Sequence, residues 1–196
     1  MKKLFIIIVL LFTTNIVSAQ DFSFGPKLGL NVSNITQNKE LDVKAGFIAG
    51  AFVQYDFNNK MAISGDVLYS QQGAIMRYDN FKRKINVNYL NVPILFNYYI
   101  IDGFAIKAGL QMGVFLRGSY VDKYDNETIK SDKINYYSAL DLSLPVGISY
   151  ELPIGLIFDA RYNIGVSGIY GDLKGGGDNA GTNSVFNFTV GYRFGK

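Results

Sequence analysis

The chain has 196 residues, a formal net charge of +3 and 15% aromatic residues, and it contains 21 glycines but no cysteine and no histidine. The absence of cysteine excludes disulfides and thiolate chemistry, and the absence of histidine removes the commonest general base and metal ligand. The 19 basic residues fall to 17, against 16 acidic ones, once Lys2 and Lys3 of the N-terminal segment are set aside. So small a net charge gives no indication of a nucleic-acid partner.

The first 19 residues have the pattern of a secretory signal peptide. Lys2 and Lys3 precede an apolar run at residues 4–12, and Val17-Ser18-Ala19 matches the small-residue pattern of a cleavage site. The apolar run is far shorter than the roughly 20 residues that a membrane-spanning helix needs. We therefore predict an exported protein with a cleaved signal peptide at residues 1–19 and one mature domain at residues 20–196.

Eight stretches of the mature chain alternate in polarity with the period of two that defines a β-strand. The clearest is residues 87–99, which is longer than an average strand of about 5–6 residues and fits the roughly 9–11 residues of a membrane-spanning strand. The predicted strands are residues 22–33, 44–57, 61–72, 87–99, 104–120, 136–151, 154–167 and 185–194.

The connections between these strands alternate between long and short. Polar segments at residues 34–43, 73–84, 121–135 and 168–183 alternate with tight turns at residues 58–60, 101–103 and 152–153. This alternation is typical of an up-and-down barrel that crosses a membrane. The short turns are then periplasmic, together with both chain ends, and the four long loops are external.

The two faces of each predicted strand differ in a way that favours a membrane barrel. One face is almost continuously apolar, whereas the charged residues share the other face with glycines and small polar residues. The predicted inward charges are Lys27, Lys107, Arg117, Arg161 and Arg193, and Asp56, Asp66, Asp141, Glu151 and Asp159. Because eight strands enclose only enough space for side chains, we predict that these charges form an ion-pair network that plugs the lumen.

These observations predict an all-β fold, an eight-stranded antiparallel up-and-down transmembrane β-barrel. In lipid, only closure of the sheet pairs every backbone donor and acceptor. Aromatic residues beside the short turns predict one interfacial girdle: Phe22, Phe24, Tyr55, Phe57, Tyr98, Phe104, Tyr150, Tyr192 and Phe194. The alternative is a soluble, lipocalin-like barrel with an apolar cavity.

Four motifs resemble the PorT-like outer-membrane β-barrel family of Bacteroidetes. They are Ser18-Ala19-Gln20, Gly25-Pro26-Lys27-Leu28-Gly29, Tyr89-Leu90-Asn91-Val92-Pro93 and Gly191-Tyr192-Arg193-Phe194. The resemblance covers essentially the whole mature chain and implies an integral outer-membrane barrel. It implies no catalytic residue, and the family's namesake belongs to a cell-envelope secretion and gliding apparatus. The chain departs from the usual terminal aromatic residue of such barrels, since Gly195 and Lys196 follow Phe194.

Four groups of residues are candidates for chemistry, and each has a structural alternative. Asp141 and Asp159, expected near Arg161, suit acid–base work or the neutralisation of basic neighbours. Lys174 with residues 175–177 superficially resembles a phosphate loop, but lacks its spacing. Asp122, Asp125, Asn126 and Glu127 offer oxygen ligands for calcium. Arg77, Lys82, Arg83 and Lys84, beside Tyr78 and Phe81, suit lipopolysaccharide phosphates or a solvated loop.

The sequence therefore favours a non-enzymatic barrel, because lipid-modifying barrels usually pair a serine with a histidine. No cofactor and no metal are expected, and no residue is assigned to catalysis. The first functional hypothesis is a structural or scaffold role in protein secretion or envelope assembly, with proteins of those systems as partners. The alternatives are surface interaction through the external loops, with outer-membrane lipid and lipopolysaccharide as partners, and a narrow pore.

The barrel fold predicts heat-dependent migration on denaturing gels. Unheated protein should migrate faster than boiled protein, because a closed barrel stays compact until its backbone pairing is melted, and it should fractionate with the outer membrane. A periplasmic pool with no mobility shift would contradict the prediction.

Overall fold

A computed structural model describes residues 21–35, 41–78, 81–124, 127–131, 140–168 and 182–195. The predicted signal peptide, residues 1–19, lies outside the described residues, so its cleavage stays a prediction. Within the described part of the chain, no helix is long and apolar enough to cross a membrane.

Ten β-strands make up the described structure. In chain order they are β1 (Phe22–Ile35), β2 (Leu41–Asp42), β3 (Lys44–Asn58), β4 (Met61–Tyr78), β5 (Phe81–Ile101), β6 (Phe104–Tyr124), β7 (Glu127–Ser131), β8 (Leu140–Glu151), β9 (Leu156–Gly168) and β10 (Thr182–Tyr192).

Eight of these strands close into a ring. Going round the barrel, the order is β1, β3, β4, β5, β6, β8, β9, β10 and back to β1, and every neighbouring pair is antiparallel. The short strands β2 and β7 lie outside the ring and pair with β4 and β6. The predicted eight-stranded antiparallel barrel is confirmed, and closure pairs the backbone of all eight strands.

The predicted faces of the strands are confirmed over the body of the barrel. In β8, for example, Leu142 and Leu144 are exposed on the outer surface while Asp141 and Ser143 are buried in the lumen. Alternation of this kind places a polar interior behind an apolar exterior. The barrel is therefore the inverse of a lipocalin-like one, whose cavity is apolar.

Aromatic side chains mark both edges of the apolar exterior. The girdle predicted beside the short turns contains ring contacts such as Phe24 with Phe194, whose centroids lie 5.8 Å apart. A second girdle, which the sequence analysis did not predict, contains Phe47 with Tyr69 at 5.4 Å and Tyr162 with Phe186 at 4.5 Å. Ten residues of tilted β3 separate Phe57 from Phe47, which gives an apolar band about 23 Å tall, close to the ~25 Å of a membrane barrel.

Two of the segments predicted to be loops are instead strands. Residues 73–78 continue β4 and residues 81–84 belong to β5, in register from Gly73 opposite Asn86 to Tyr78 opposite Phe81. Residues 121–135 include the end of β6 and all of β7, which pairs back on it. The predicted loops were wrong here because charged residues occupy both faces of these strands, so that the period of two was not apparent. The resulting surface is called the projecting sheet: β2, residues 73–78 of β4, 81–88 of β5 and 117–124 of β6, and β7.

Smaller corrections concern the strand ends. Ile154 lies in the turn before β9, and Phe194 forms only an isolated bridge with Phe24 after β10 has ended. β1 reaches Ile35, and β2 lies within the segment 34–43 that was predicted to be a loop. The predicted strand start at residue 136 falls within residues 132–139, outside the described part of the chain.

The prediction that Arg117 faces the lumen was wrong, because β6 contains a β-bulge. Asn88 pairs with Arg117, whereas the next residue, Tyr89, pairs with Phe115, so Leu116 is an extra residue in β6. One extra residue exchanges the two faces of a strand beyond it. Arg117 is consequently exposed on the outer surface instead of facing the lumen, and Asp122 is buried on the inner side.

Candidate functional site

The centre of the lumen holds five buried charged side chains. Arg161 donates from Nε to Asp159 Oδ1 at 2.6 Å and from Nη2 to Asp66 Oδ2 at 2.8 Å. Lys27 Nζ lies 3.0 Å from Asp66 Oδ2, and Lys107 Nζ lies 2.8 Å from Asp159 Oδ2. These five residues are called the central network. They come from β1, β4, β6 and β9, so their side chains meet only because the barrel closes.

The central network has three cations and two anions, and each carboxylate contacts at least two cations. Burying an unpaired charge in a poorly solvated interior costs much free energy. Ion pairing offsets that cost only when the partners are close and well aligned. Lys27 also makes a cation–π contact, with its Nζ 4.9 Å from the centre of the Phe52 ring. The predicted ion-pair plug is therefore present for Lys27, Lys107 and Arg161, but not for Arg117.

A second group of charges closes the lumen at the end that holds the short turns. Arg193 is 3.1 Å from Asp56 Oδ2 and 3.0 Å from Glu151 Oε2, and it donates to Tyr99 Oη at 3.2 Å. Gln54 donates to Asp56 at 2.6 Å. Arg193 thus joins β3, β5 and β8 from its position directly after β10. Asp56, Glu151 and Arg193 are inward, as predicted.

The structure separates the two carboxylates that were candidates for acid–base work. Asp159 belongs to the central network, whereas Asp141 accepts hydrogen bonds from Ser167 at 3.2 Å and Asn183 at 3.1 Å. Ser167 is eight residues from Asp159 along β9, or about 26 Å of strand. The expectation that both carboxylates lie near Arg161 was wrong for Asp141, and the two cannot act on one substrate atom.

Arg83 and Asp122 form a pair on the inner side of the projecting sheet. Arg83 donates from Nε and Nη2 to the two oxygens of Asp122, each at 2.7 Å. The guanidinium also lies over Phe81 at 5.3 Å and Tyr120 at 5.0 Å, measured to the ring centres. This bidentate, stacked arrangement suits a structural role. It removes Arg83 from the predicted lipopolysaccharide contact and weakens Asp122 as a calcium ligand.

Of the remaining candidate residues for binding lipopolysaccharide or calcium, the structure describes the side chains of Lys82 and Lys84. Lys82 and Lys84 flank Arg83 in sequence and are exposed on the outer side of the projecting sheet. The side chains of Arg77, Tyr78 and Glu127 lie outside the described part of the structure, as do Asp125, Asn126, Lys174 and residues 175–177. Within the described residues, no group of three or more acidic side chains is placed to hold a metal ion.

Lys44 is a buried charge that the sequence analysis missed. It lies three residues beyond Phe47 of the second girdle, so it is outside the apolar band, and its Nζ donates to the Gln72 carbonyl at 2.7 Å. Burial, and then the nearby charge of Lys84, lower the pKa of Lys44 from 10.5 to about 8. The sequence does contain a signal for this burial, because a period of two through residues 44–48 places Lys44 on the same face as Gly46 and Ile48.

Comparison with known proteins identifies the family. The sequence matches the family described as "Outer membrane protein beta-barrel domain" over residues 18–171. The chain belongs to this family. It is an integral protein of the outer membrane, and its apolar band is the part that contacts lipid.

Two solved structures are similar to this outer-membrane barrel in fold. One is Ail, the attachment invasion locus protein of Yersinia pestis, with a TM-score of 0.53 and 15% identity over 89% of this chain and 99% of that one. The other is Ail in complex with the heparin analogue sucrose octasulfate, with a TM-score of 0.52 and 16% identity over the same shares. No curated protein matches the sequence.

The charge count of the central network predicts unequal effects of two substitutions. Asp159→Asn leaves three cations with Asp66 alone, whereas Arg161→Met leaves two cations and two anions. We expect Asp159→Asn to lower the free energy of unfolding by about 3–5 kcal/mol and Arg161→Met to lower it by less. Urea titration of the barrel in lipid vesicles, followed by loss of the fast-migrating gel band, measures both.

Thr189→Val is the matched control, because Thr189 is buried in the same lumen and its hydroxyl has no hydrogen-bond partner. It should change stability little. An equal or larger loss in Arg161→Met would show that the net charge of the network does not decide its stability.

Proposed function

We propose that this protein is a closed, non-enzymatic interaction barrel that acts at the cell surface through its projecting sheet. The observation that supports this function is the extension of β4, β5 and β6 well beyond the second aromatic girdle, where they form a paired sheet together with β7. A rigid sheet holds side chains in fixed positions for a partner, at a lower entropic cost than a flexible loop.

The direction of the projecting sheet follows from the connections. The short turns after β3, β5 and β8 lie at the opposite end of the barrel, and in outer-membrane barrels short turns face the periplasm. The projecting sheet therefore faces outward in the proposed orientation. That orientation requires export, for which we propose removal of residues 1–19 as the signal peptide.

The filled lumen disfavours the pore hypothesis. The central network spans the barrel interior from β1 to β6, and the side chains of Lys27, Asp66 and Arg161 are at most 2% exposed. A permeating ion would have to displace side chains that are held by ion pairs in a poorly solvated interior.

Conductance in planar bilayers tests this closure. Wild-type barrel should show no stable open level, whereas Lys107→Ala/Arg161→Ala should conduct, because two long side chains are lost from the lumen. The double variant leaves one cation with two carboxylates, so its current should prefer cations. The gel-mobility shift must first show that the variant is folded. Stable conductance of the wild type would refute the closed barrel.

A second candidate function uses the periplasmic end. A cavity of about 810 Å³ opens between the short turns, and its charged lining is mostly acidic: Asp21, Asp56, Asp102, Glu151 and Arg193. A basic segment of a periplasmic protein suits this opening by charge. That arrangement favours the scaffold role in secretion or envelope assembly to which the PorT-like resemblance points.

Photo-crosslinking in the native membrane distinguishes the two functions. A photoreactive residue at Ile129, exposed in β7, probes the projecting sheet, and the same residue at Asp102, in a short turn, probes the periplasmic opening. We expect adducts at position 129 and none at position 102. Adducts at position 102 alone would replace the surface function by the periplasmic scaffold.

A further inference from the structure

Among the side chains that the structure describes, five exposed basic residues lie on the outer face of the projecting sheet. They are called the basic strip: Lys82, Lys84, Arg117, Lys123 and Lys130. Lys82 of β5 pairs directly with Lys123 of β6. Two residues earlier in β6, Val121 pairs with Lys84 on one side and with Lys130 of β7 on the other. Among the side chains that the structure describes, the acidic residue on this face of the sheet is Asp42, two strands away from Lys84.

The bulge at Leu116 creates the basic strip. Before it, the even-numbered residues of β6 face outward, and after it the odd-numbered residues do. Arg117 and Lys123 consequently join Lys82 and Lys84 outside, while Asp122 turns inward to Arg83. Without the bulge, the acidic residue would lie outside among the lysines and neutralise them. The backbone thus sorts the charges of β6 by sign.

This arrangement is unfavourable for the isolated protein. Like charges directly opposite each other on one face of a sheet are destabilising, and Lys82 and Lys123 are such a pair. After burial, the positive charge of Lys84 is the second cause that lowers the pKa of Lys44. Real proteins depart from such local pairing preferences at functional sites. An anion seated on the basic strip would turn this repulsion into attraction.

The height of the basic strip above the lipid indicates which kind of anion it binds. Tyr69 and Leu90 share a register position at the second girdle. Arg117 pairs with Asn88, which is two residues beyond Leu90 along β5, whereas Lys84 and Lys82 are six and eight residues beyond Leu90. With strands tilted by about 45°, these positions lie about 5, 14 and 19 Å above the girdle. A phospholipid headgroup layer is only about 5–8 Å thick, so the lysines stand above it.

We propose that the basic strip binds the phosphate groups of the outer-leaflet glycolipid, lipopolysaccharide. Its acyl chains would lie against the apolar band below, and its phosphorylated sugars would stand beside the sheet at the height of the lysines. The inference rests on the proposed function, in that the projecting sheet is the surface that interacts. It adds the partner and the side chains that bind it.

Binding of a labelled lipopolysaccharide tests the inference. The probe is a truncated lipopolysaccharide that retains lipid A and the inner-core phosphates, and its fluorescence anisotropy is measured with folded barrel in detergent. Lys82→Gln/Lys84→Gln/Lys123→Gln should weaken binding by about tenfold or more, since each lysine near an anionic lipid surface contributes appreciably. Lys82→Arg/Lys84→Arg/Lys123→Arg keeps the charge and should bind within about threefold of the wild type.

The same probe after chemical dephosphorylation is the second arm of the experiment. It should bind the wild type about as weakly as the intact probe binds the glutamine variant. The inference is overturned if the glutamine variant binds the intact probe like the wild type, or if dephosphorylation changes nothing. Equal competition by phosphatidylglycerol vesicles would overturn the choice of a glycolipid. Crosslinks at Ile129 that persist in either case would leave the surface function intact.

Discussion

Charge burial inside a lipid-facing wall is the constraint on which the rest of the structure depends. The outer surface of the barrel contacts hydrocarbon, so charged residues of the spanning strands must face the narrow lumen, where little water is available to solvate them. They are stable there only as partners of one another. Arg161 holds Asp66 and Asp159 together, and Lys27 and Lys107 complete the group. The same ion pairs fill the centre of the lumen.

Because the centre of the lumen is filled by ion pairs, the proposed functional surfaces are the two ends of the barrel. At the end that holds the short turns, Arg193 draws Asp56 and Glu151 together beneath an acidic opening. At the opposite end, the pairing of β4 with β5 continues beyond the apolar band as far as Tyr78 and Phe81. The two ends differ in charge as well as in shape, with acidic side chains around the turns and basic side chains on the projecting sheet. Each end therefore suits a different class of partner.

One backbone irregularity decides which charged side chains of β6 lie on each face of the projecting sheet. The bulge at Leu116 places Asp122 behind the sheet, where it accepts two hydrogen bonds from Arg83 between two aromatic rings. The same bulge places Arg117 and Lys123 in front. Arg83 and Lys84 are neighbours in sequence with opposite roles, one as a partner of a carboxylate and the other as part of the basic strip. A regular strand could not have given both.

The sequence by itself determined the number of spanning strands, their antiparallel order and the face on which each side chain of the lipid-facing band lies. These follow from a period of two and from alternating connections, which are local properties of the chain. It did not determine where β4, β5 and β6 end, because residues with charges on both faces resemble a loop until a partner strand is seen. Only the tertiary structure decided that Arg161 meets Asp66, 95 residues away in sequence, and that Arg117 lies outside. Those contacts depend on closure of the ring and on one inserted residue, and neither leaves a local signal in the polarity of the chain.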